Sequence, residues 1–317
     1  MLIRPDPDEA GAERDGVRRA LSRGLTRAAG SPDGLELGYP GTFAHLFGKC
    51  GSAPEALLAL AERARASADR SKRLGCPAWQ VDPAPPDLHL TGSLDRAISQ
   101  LPADRARPDL RVVAWSADEL QVLCTAGCLL ERVFPEVLAE LRVLVRQVAL
   151  LGGKGIAGYT DFGVHGAIFL NRGRLTDDPA GLPAHVRLAE AVVHEGAHVR
   201  CNAAGWARPY LADPKDRSVL IDTPLRPDRR PVNGLFQQFV VLVRSIELYD
   251  RVLAGDELTG MARTAASERR AKLSEQAAEA VAALRSHQTL LSERGLADLE
   301  EADRVLSGSR PASFARS

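Results

Sequence analysis

The chain has 317 residues, and its 41 Lys and Arg are balanced by 41 Asp and Glu, for a formal net charge of zero. That balance argues against a sequence-blind nucleic-acid binder, which needs a basic surplus to displace counterions from phosphates. A chain this long buries roughly 75% of its unfolded surface, so it can fold without a metal, and a bound metal would point to catalysis. Cys50, Cys76, Cys124, Cys128 and Cys201 form no CxxC pair, so they read as free thiols rather than a disulfide framework or a zinc ribbon. The first residues carry charge but no apolar stretch of the secretory-signal kind, and no run reaches the roughly 20 apolar residues of a membrane span. The expected location is the cytoplasm.

Apolar residues three and four apart predict helices over 17–28 and 53–74. Between Cys76 and Leu101, Pro83, Pro85 and Pro86 interrupt any periodic pattern, so this part reads as an irregular connection. RVVAW at 111–115 predicts a short strand, and 117–151 a long helical region broken near Pro135. GGKGIAG at 152–158 lacks the GxxxxGK[ST] order of a phosphate loop and reads as a turn. GAIFLN at 166–171 predicts a strand, and 183–204 a helix with Pro183 in its first turn and Gly205 just past its end. Residues 205–234 are rich in Pro, Asp and Arg and read as a long loop or lid, with a basic cluster at Arg226, Arg229 and Arg230. Helices follow over 235–253 and 265–306, the second with no candidate chemistry.

Three regions result: N-terminal helices (1–80), a metal-binding catalytic domain (81–255), and C-terminal helices (256–317) that pack on the core or, in a homodimer, on a second copy. The expected fold class is α+β, predominantly helical, with a zincin-like HExxH helix next to a small β-sheet.

The chemistry concentrates in AVVHEGAHV, residues 191–199. His194 and His198 are four apart, so on a helix both imidazoles project from one face and can reach one ion. Glu195 is rotated by about 100° from His194 and lies beside that ion. Gly196 and Ala197 are small enough for a strand to approach, while Arg200 stands where the zinc-peptidase signature prefers an apolar residue. Catalytic metal sites usually take a third protein ligand. Gln237, Glu247 and Asp250 are candidates from the following helix, with Cys201, His165 and His185 as further ones. From these residues a zinc hydrolase is open: Zn2+ on the two histidines and Glu247, with Glu195 as general base on a metal-bound water.

RPVNGLFQQFVVLVR at 230–244, downstream of HEGAH, resembles the HExxH-motif family encoded in gene clusters for ribosomally made, modified peptides (RiPPs). The resemblance runs from Gly158 to Arg251 and implies a non-haem iron dioxygenase that uses Fe(II) and 2-oxoglutarate. The reaction would be hydroxylation of an unactivated Cβ–H in a peptide or amino-acid substrate. His194 and His198 would be iron ligands, and Gln237 stands at the third position, where many relatives have His. Arg244, or else Arg230, would hold a carboxylate of 2-oxoglutarate, with Asn233 completing the cofactor-binding set. Glu195 would then orient a ligand or water. Gln237 and Arg244 are seven apart and share a helix face. The amide at 237 also keeps open a metal-free, peptide-binding relative.

Overall fold

The computed structural model describes residues 1–29, 36–47, 54–101, 107–215, 218–223 and 226–308. Cys50, the first residue of the helix predicted from 53, and parts of the 205–234 segment lie outside the described residues. Helix α1 (Pro7–Ala29) starts where the Asp6 carboxylate accepts the backbone N–H groups of Asp8 and Glu9, with Pro7 in the first turn. Helices α2 (Pro40–Phe47) and α3 (Pro54–Arg73) follow. The proline-rich stretch is more ordered than its composition predicts. It holds strand β1 (Asp82–Ala84) and helix α4 (Leu88–Ser99), with Pro85 and Pro86 confined to the link between them.

After β2 (Leu110–Val113), helix α5 (Ala117–Val133) opens with a reciprocal capping box between Ser116 and Glu119. Pro135 cannot donate a backbone hydrogen bond, so α6 (Pro135–Leu144) starts anew after Phe134. Strands β3 (Gln147–Gly153), β4 (Gly158–Tyr159) and β5 (Ala167–Asn171) lead to α7 (Ala184–Ala207), which carries the HExxH motif. A hairpin of β6 (Leu220–Thr223) and β7 (Arg226–Pro231) runs straight into α8 (Val232–Ala254). Helices α9 (Gly260–Ser286) and α10 (Glu293–Gly308) end the described chain.

Strand β3 is the centre of the sheet. It pairs in parallel with β5 on one edge, while β1 and β2 share its other edge, β1 parallel and β2 antiparallel. The short β4 lies antiparallel on the outer edge of β5. Val148, Leu150, Ile168 and Leu170 join the large core that includes α7, whereas Ala149, Leu151, Ala167 and Phe169 pack with Leu90 and Leu94 of α4. Both faces are therefore covered, which corrects the helix expected to run to Leu151. An apolar run buried on both sides lacks the alternation that marks a half-exposed strand. The helix expected over 265–306 also divides, at His287 and a 3-10 turn (Gln288–Leu290). The result is a mostly helical α+β chain with a small sheet. One apolar cluster draws residues from Leu2 to Ala302, across all three expected regions.

Behind α7 lies a network of buried charges. The Glu140 carboxylate of α6 binds Arg244 of α8 through both oxygens and Arg200 of α7 through Oε2, at 3.2 Å from Nε. Arg200, Glu140 and Arg244 are each 1% exposed or less. Arg200 also pairs with Glu9 and Glu13 of α1. Burial and the neighbouring Arg244 bring the Arg200 guanidinium down to about 10, which still leaves it charged at neutral pH. Arg244 further donates to the Leu2 carbonyl oxygen, and the Leu2 N–H donates to Asp298 of α10. This explains an arginine where the peptidase signature prefers an apolar residue: position 200 faces other charges, not lipid-like core.

The same packing corrects the role of the small residues in the motif. A side chain at Gly196 would meet Leu141 Cδ2 at 2.1 Å, so the close neighbour is a leucine of α6 and not a strand.

Two stability outcomes follow. Glu140→Ala leaves two buried guanidinium groups without their shared anion and is expected to cost about 3–5 kcal/mol in urea denaturation. His165, 6% exposed between Phe43 and Phe162, has no hydrogen-bond partner at either ring nitrogen. Burial, then the charge of Arg18, brings it down to about 4. The unfolded chain takes up this proton near pH 6.5 and the folded one only near pH 4, so stability falls as pH drops through that window. The loss amounts to about 3 kcal/mol. His165→Phe should flatten the decline between pH 6.5 and 4, and an unchanged profile would contradict the assignment.

Candidate metal centre

Helix α7 carries a polar stripe in an otherwise buried element. Glu190, His194, His198 and Asn202 recur every four residues, and all four line a cavity of about 770 Å³. The rest of the wall comes from the end of α4, from residues 155–162 in and around β4, from Arg174, and from β7, α8 and α9. The rings of His194 and His198 stand edge to face with centroids 5.2 Å apart.

The tautomer of His198 is set by α8. Gln237 directs its amide nitrogen to three oxygens: Tyr210 Oη at 3.2 Å, and Asn202 Oδ1 and Asn233 Oδ1 at 3.3 Å each. Its Oε1 therefore faces His198 and accepts the Nδ1–H at 2.9 Å. That hydrogen bond puts the ring's lone pair on Nε2, the arrangement in which an outer partner orients a metal-binding imidazole. Gln237, expected from the resemblance as the third ligand, instead engages its Oε1 with His198 and orients that ring.

Glu195 is 4% exposed. One carboxylate oxygen accepts a hydrogen bond from Thr160 Oγ1 at 3.1 Å, and the other lies 4.0 Å from His194 Nε2. Edge strand β4 presses on it closely. A Cβ at Gly158 would lie 2.7 Å from Glu195 Oε1 and 3.0 Å from the Phe169 carbonyl oxygen, so only glycine leaves the carboxylate in place.

The remaining predicted residues divide sharply. Arg230 lines the cavity. Asn233 accepts hydrogen bonds from Tyr210 and Gln237, so it holds the scaffold of the site rather than a cofactor. Arg244 shares the Gln237 face of α8, but seven residues at 1.5 Å each carry it about 10 Å further along, into the network around Glu140. It is not brought to the cavity. Glu247 is ion-paired with Arg251, and Asp250 with Arg270. Cys201 is fully buried, with its thiol pushed up to about 12 by burial, and His165 sits in its aromatic pocket. His185 lies in the first turn of α7 and does not line the cavity. The four described cysteines are free thiols. The Arg226 side chain lies outside the described residues, so the expected basic cluster reduces to Arg229, which bonds the Leu220 carbonyl, and Arg230.

Several wall residues carried no usable signal in the sequence. Thr160, Gln238 and Arg174 stand in unremarkable contexts, and Arg269 and Leu273 come from α9, which was expected to hold no chemistry. Glu190 was within reach of the helical spacing, four residues before His194.

His194 and His198 are the candidate donors for a divalent metal, two imidazoles one turn apart on the cavity wall. Among the described residues no group of three His, Cys, Asp or Glu side chains is placed to hold one. Gln237→Leu is expected to weaken divalent-metal binding 10- to 100-fold, and His198→Ala to abolish it, both followed by competitive metal titration. Equal affinity in the wild type and Gln237→Leu would refute the orienting role. Comparison with family models and with curated proteins finds no match for this chain.

Proposed function

We propose that the chain is a non-haem iron, 2-oxoglutarate-dependent oxygenase that hydroxylates an unactivated Cβ–H of a peptide. The observation that carries this reading is a pair of cavity histidines, His194 and His198, with no group of three His, Cys, Asp or Glu side chains placed to hold a metal among the described residues. The carboxylates that a three-ligand hydrolase would recruit, Glu247 and Asp250, are turned into ion pairs with Arg251 and Arg270. A two-histidine set with open positions suits non-haem iron and a chelating co-substrate. When bound, iron and 2-oxoglutarate would supply the activation of O2.

The protein's own part is positioning. Gln237 fixes the ring of His198, and Thr160 holds Glu195 beside His194. Arg230, on the strand that enters α8, is the cavity-lining arginine of the family-like stretch and takes the place of Arg244 for a co-substrate carboxylate. The cavity is large enough for a peptide side chain with its flanking backbone.

A second reading has one observation in its favour. Glu195 lies 4.0 Å from His194 Nε2 beneath an antiparallel edge strand, which suits a general base in a zinc hydrolase. Glu195→Gln separates the two. Loss of a general base costs about 10²–10⁴ in rate, whereas an oxygenase that uses Glu195 only for orientation loses less. With Fe(II), ascorbate, 2-oxoglutarate and candidate peptides, the wild type should release succinate and yield a product heavier by one oxygen. Zinc-dependent peptide cleavage without succinate, abolished in Glu195→Gln, would reverse the assignment.

A further inference from the structure

Three arginines converge on a small surface pocket that shares no lining residue with the cavity of the imidazole pair. Arg14 and Arg18 lie one turn apart on α1, and Arg146 lies in the link between α6 and β3. The Arg146 N–H donates to the Gly166 carbonyl oxygen at 2.8 Å, which fixes its backbone beside the pocket. A Cβ at Gly38, another pocket residue, would collide with Arg18 Nη2, so a bare backbone is what leaves room for that guanidinium. All three side chains reach solvent. Arg146 is exposed, and Arg14 and Arg18 keep 25% and 24% of their side-chain surface.

The nearby acids leave these charges largely unmet. Arg14 directs Nε and Nη2 to Asp15 Oδ1, both at 2.9 Å. Arg18 approaches Asp15 only to 3.9 Å and Glu36 only to 3.8 Å, beyond hydrogen-bond length, and its buried Nε has no partner. Glu36 turns the same oxygen to the Gly38 N–H at 3.0 Å. Arg146 makes no side-chain hydrogen bond or ion pair with a described residue. His165, on the pocket wall, is held neutral down to about pH 4 by burial and the Arg18 charge, so it adds no counter-charge. Burial, then the charges of Arg14 and Arg146, holds Arg18 below the ordinary arginine value, although Glu36 and Asp15 oppose the shift. Like charges one turn apart destabilise a helix, and here another segment adds a third. A repulsive arrangement with unused N–H donors is one that an anion stabilises.

The donors also select the anion. One guanidinium fork satisfies a planar carboxylate, whereas a tetrahedral oxyanion offers oxygens in several directions to donors from separate segments. Arg18 and Arg146, the two cations without a hydrogen-bonded acid, match a double negative charge. We propose that Arg14, Arg18 and Arg146 form a binding site for a phosphate dianion, carried by free phosphate or by a phosphate monoester. The site rests on neither reading of the imidazole pair.

The test is equilibrium binding to the full chain in EDTA at low salt, which keeps any metal from serving as the anion's partner. Inorganic phosphate, methyl phosphate and acetate are the probes, followed by calorimetric titration and by melting temperature. Phosphate should bind the wild type roughly tenfold or more tightly than acetate, and Arg18→Gln and Arg146→Gln should each weaken it by roughly tenfold or more. Arg111→Gln, which removes an exposed arginine of β2 outside the pocket, should leave phosphate affinity unchanged. Because Arg146 makes no side-chain bond, Arg146→Gln should melt at or above the wild-type temperature without phosphate, and phosphate should raise the wild-type midpoint more than the variant's. Methyl phosphate bound as tightly as phosphate assigns the site to a monoester with its ester oxygen outward. Methyl phosphate rejected while phosphate binds assigns it to the free ion. Phosphate held no more tightly than acetate, wild-type phosphate affinity in both Arg18→Gln and Arg146→Gln, or an equal loss in Arg111→Gln overturns the site.

Discussion

Glu140 is one carboxylate shared by two buried arginines on different helices. Arg200 belongs to α7 and Arg244 to α8, and Glu140 on α6 ties them at a point that water does not reach. Removing three charges from water is expensive, and an apolar replacement of similar volume often gives equal or greater stability. The network's return is orientation. With Arg200 anchored, α7 cannot rotate about its axis, and with Arg244 anchored on the same acid neither can α8. The two helices are thereby indexed to each other, and the bond from Gln237 to His198 depends on that indexing.

From this constraint follows the division of labour on α7. One face is a stripe of acid, two imidazoles and an amide, and Arg200 points away from it into the dry interior. A helix with polar groups on both sides and small residues between them has weak amphipathic character. Its position comes from specific contacts: the bare Gly196 under Leu141, the bare Gly158 under Glu195, and the charges behind. The aromatic residues around the site serve the same end, with Phe236 stacked on Tyr210 at 4.3 Å so that the Tyr210 hydroxyl reaches Gln237.

The HExxH helix was legible in the sequence because its signal is local: two histidines one turn apart need only the helical period to be understood. Helices α5, α7 and α8 were readable for the same reason, and β5 from its β-branched and aromatic content. What failed was what depends on distant partners. Strand β3 looks helical until neighbours appear on both edges and both faces. Gln237 and Arg244 were joined correctly by helical periodicity, which gives direction but not depth, and 10 Å of rise along α8 separates a residue beside the site from one in the core. Asn233 and Phe236 belong to the stretch that carries the family resemblance, yet their contacts are to the scaffold, and no periodicity distinguishes a scaffold residue from one that touches ligand.

The bond between Leu2 and Asp298 spans 296 positions of the chain. Ribosomal synthesis delivers Leu2 long before its acceptor. During most of elongation Leu2 and Ile3, fully buried in the finished fold, have no complete core to enter, and Arg244 has not yet met the Leu2 carbonyl oxygen. Closure of the interior is thus a late event in biogenesis, set by how long the leading apolar residues stay uncovered while the remainder of the polypeptide is still being made.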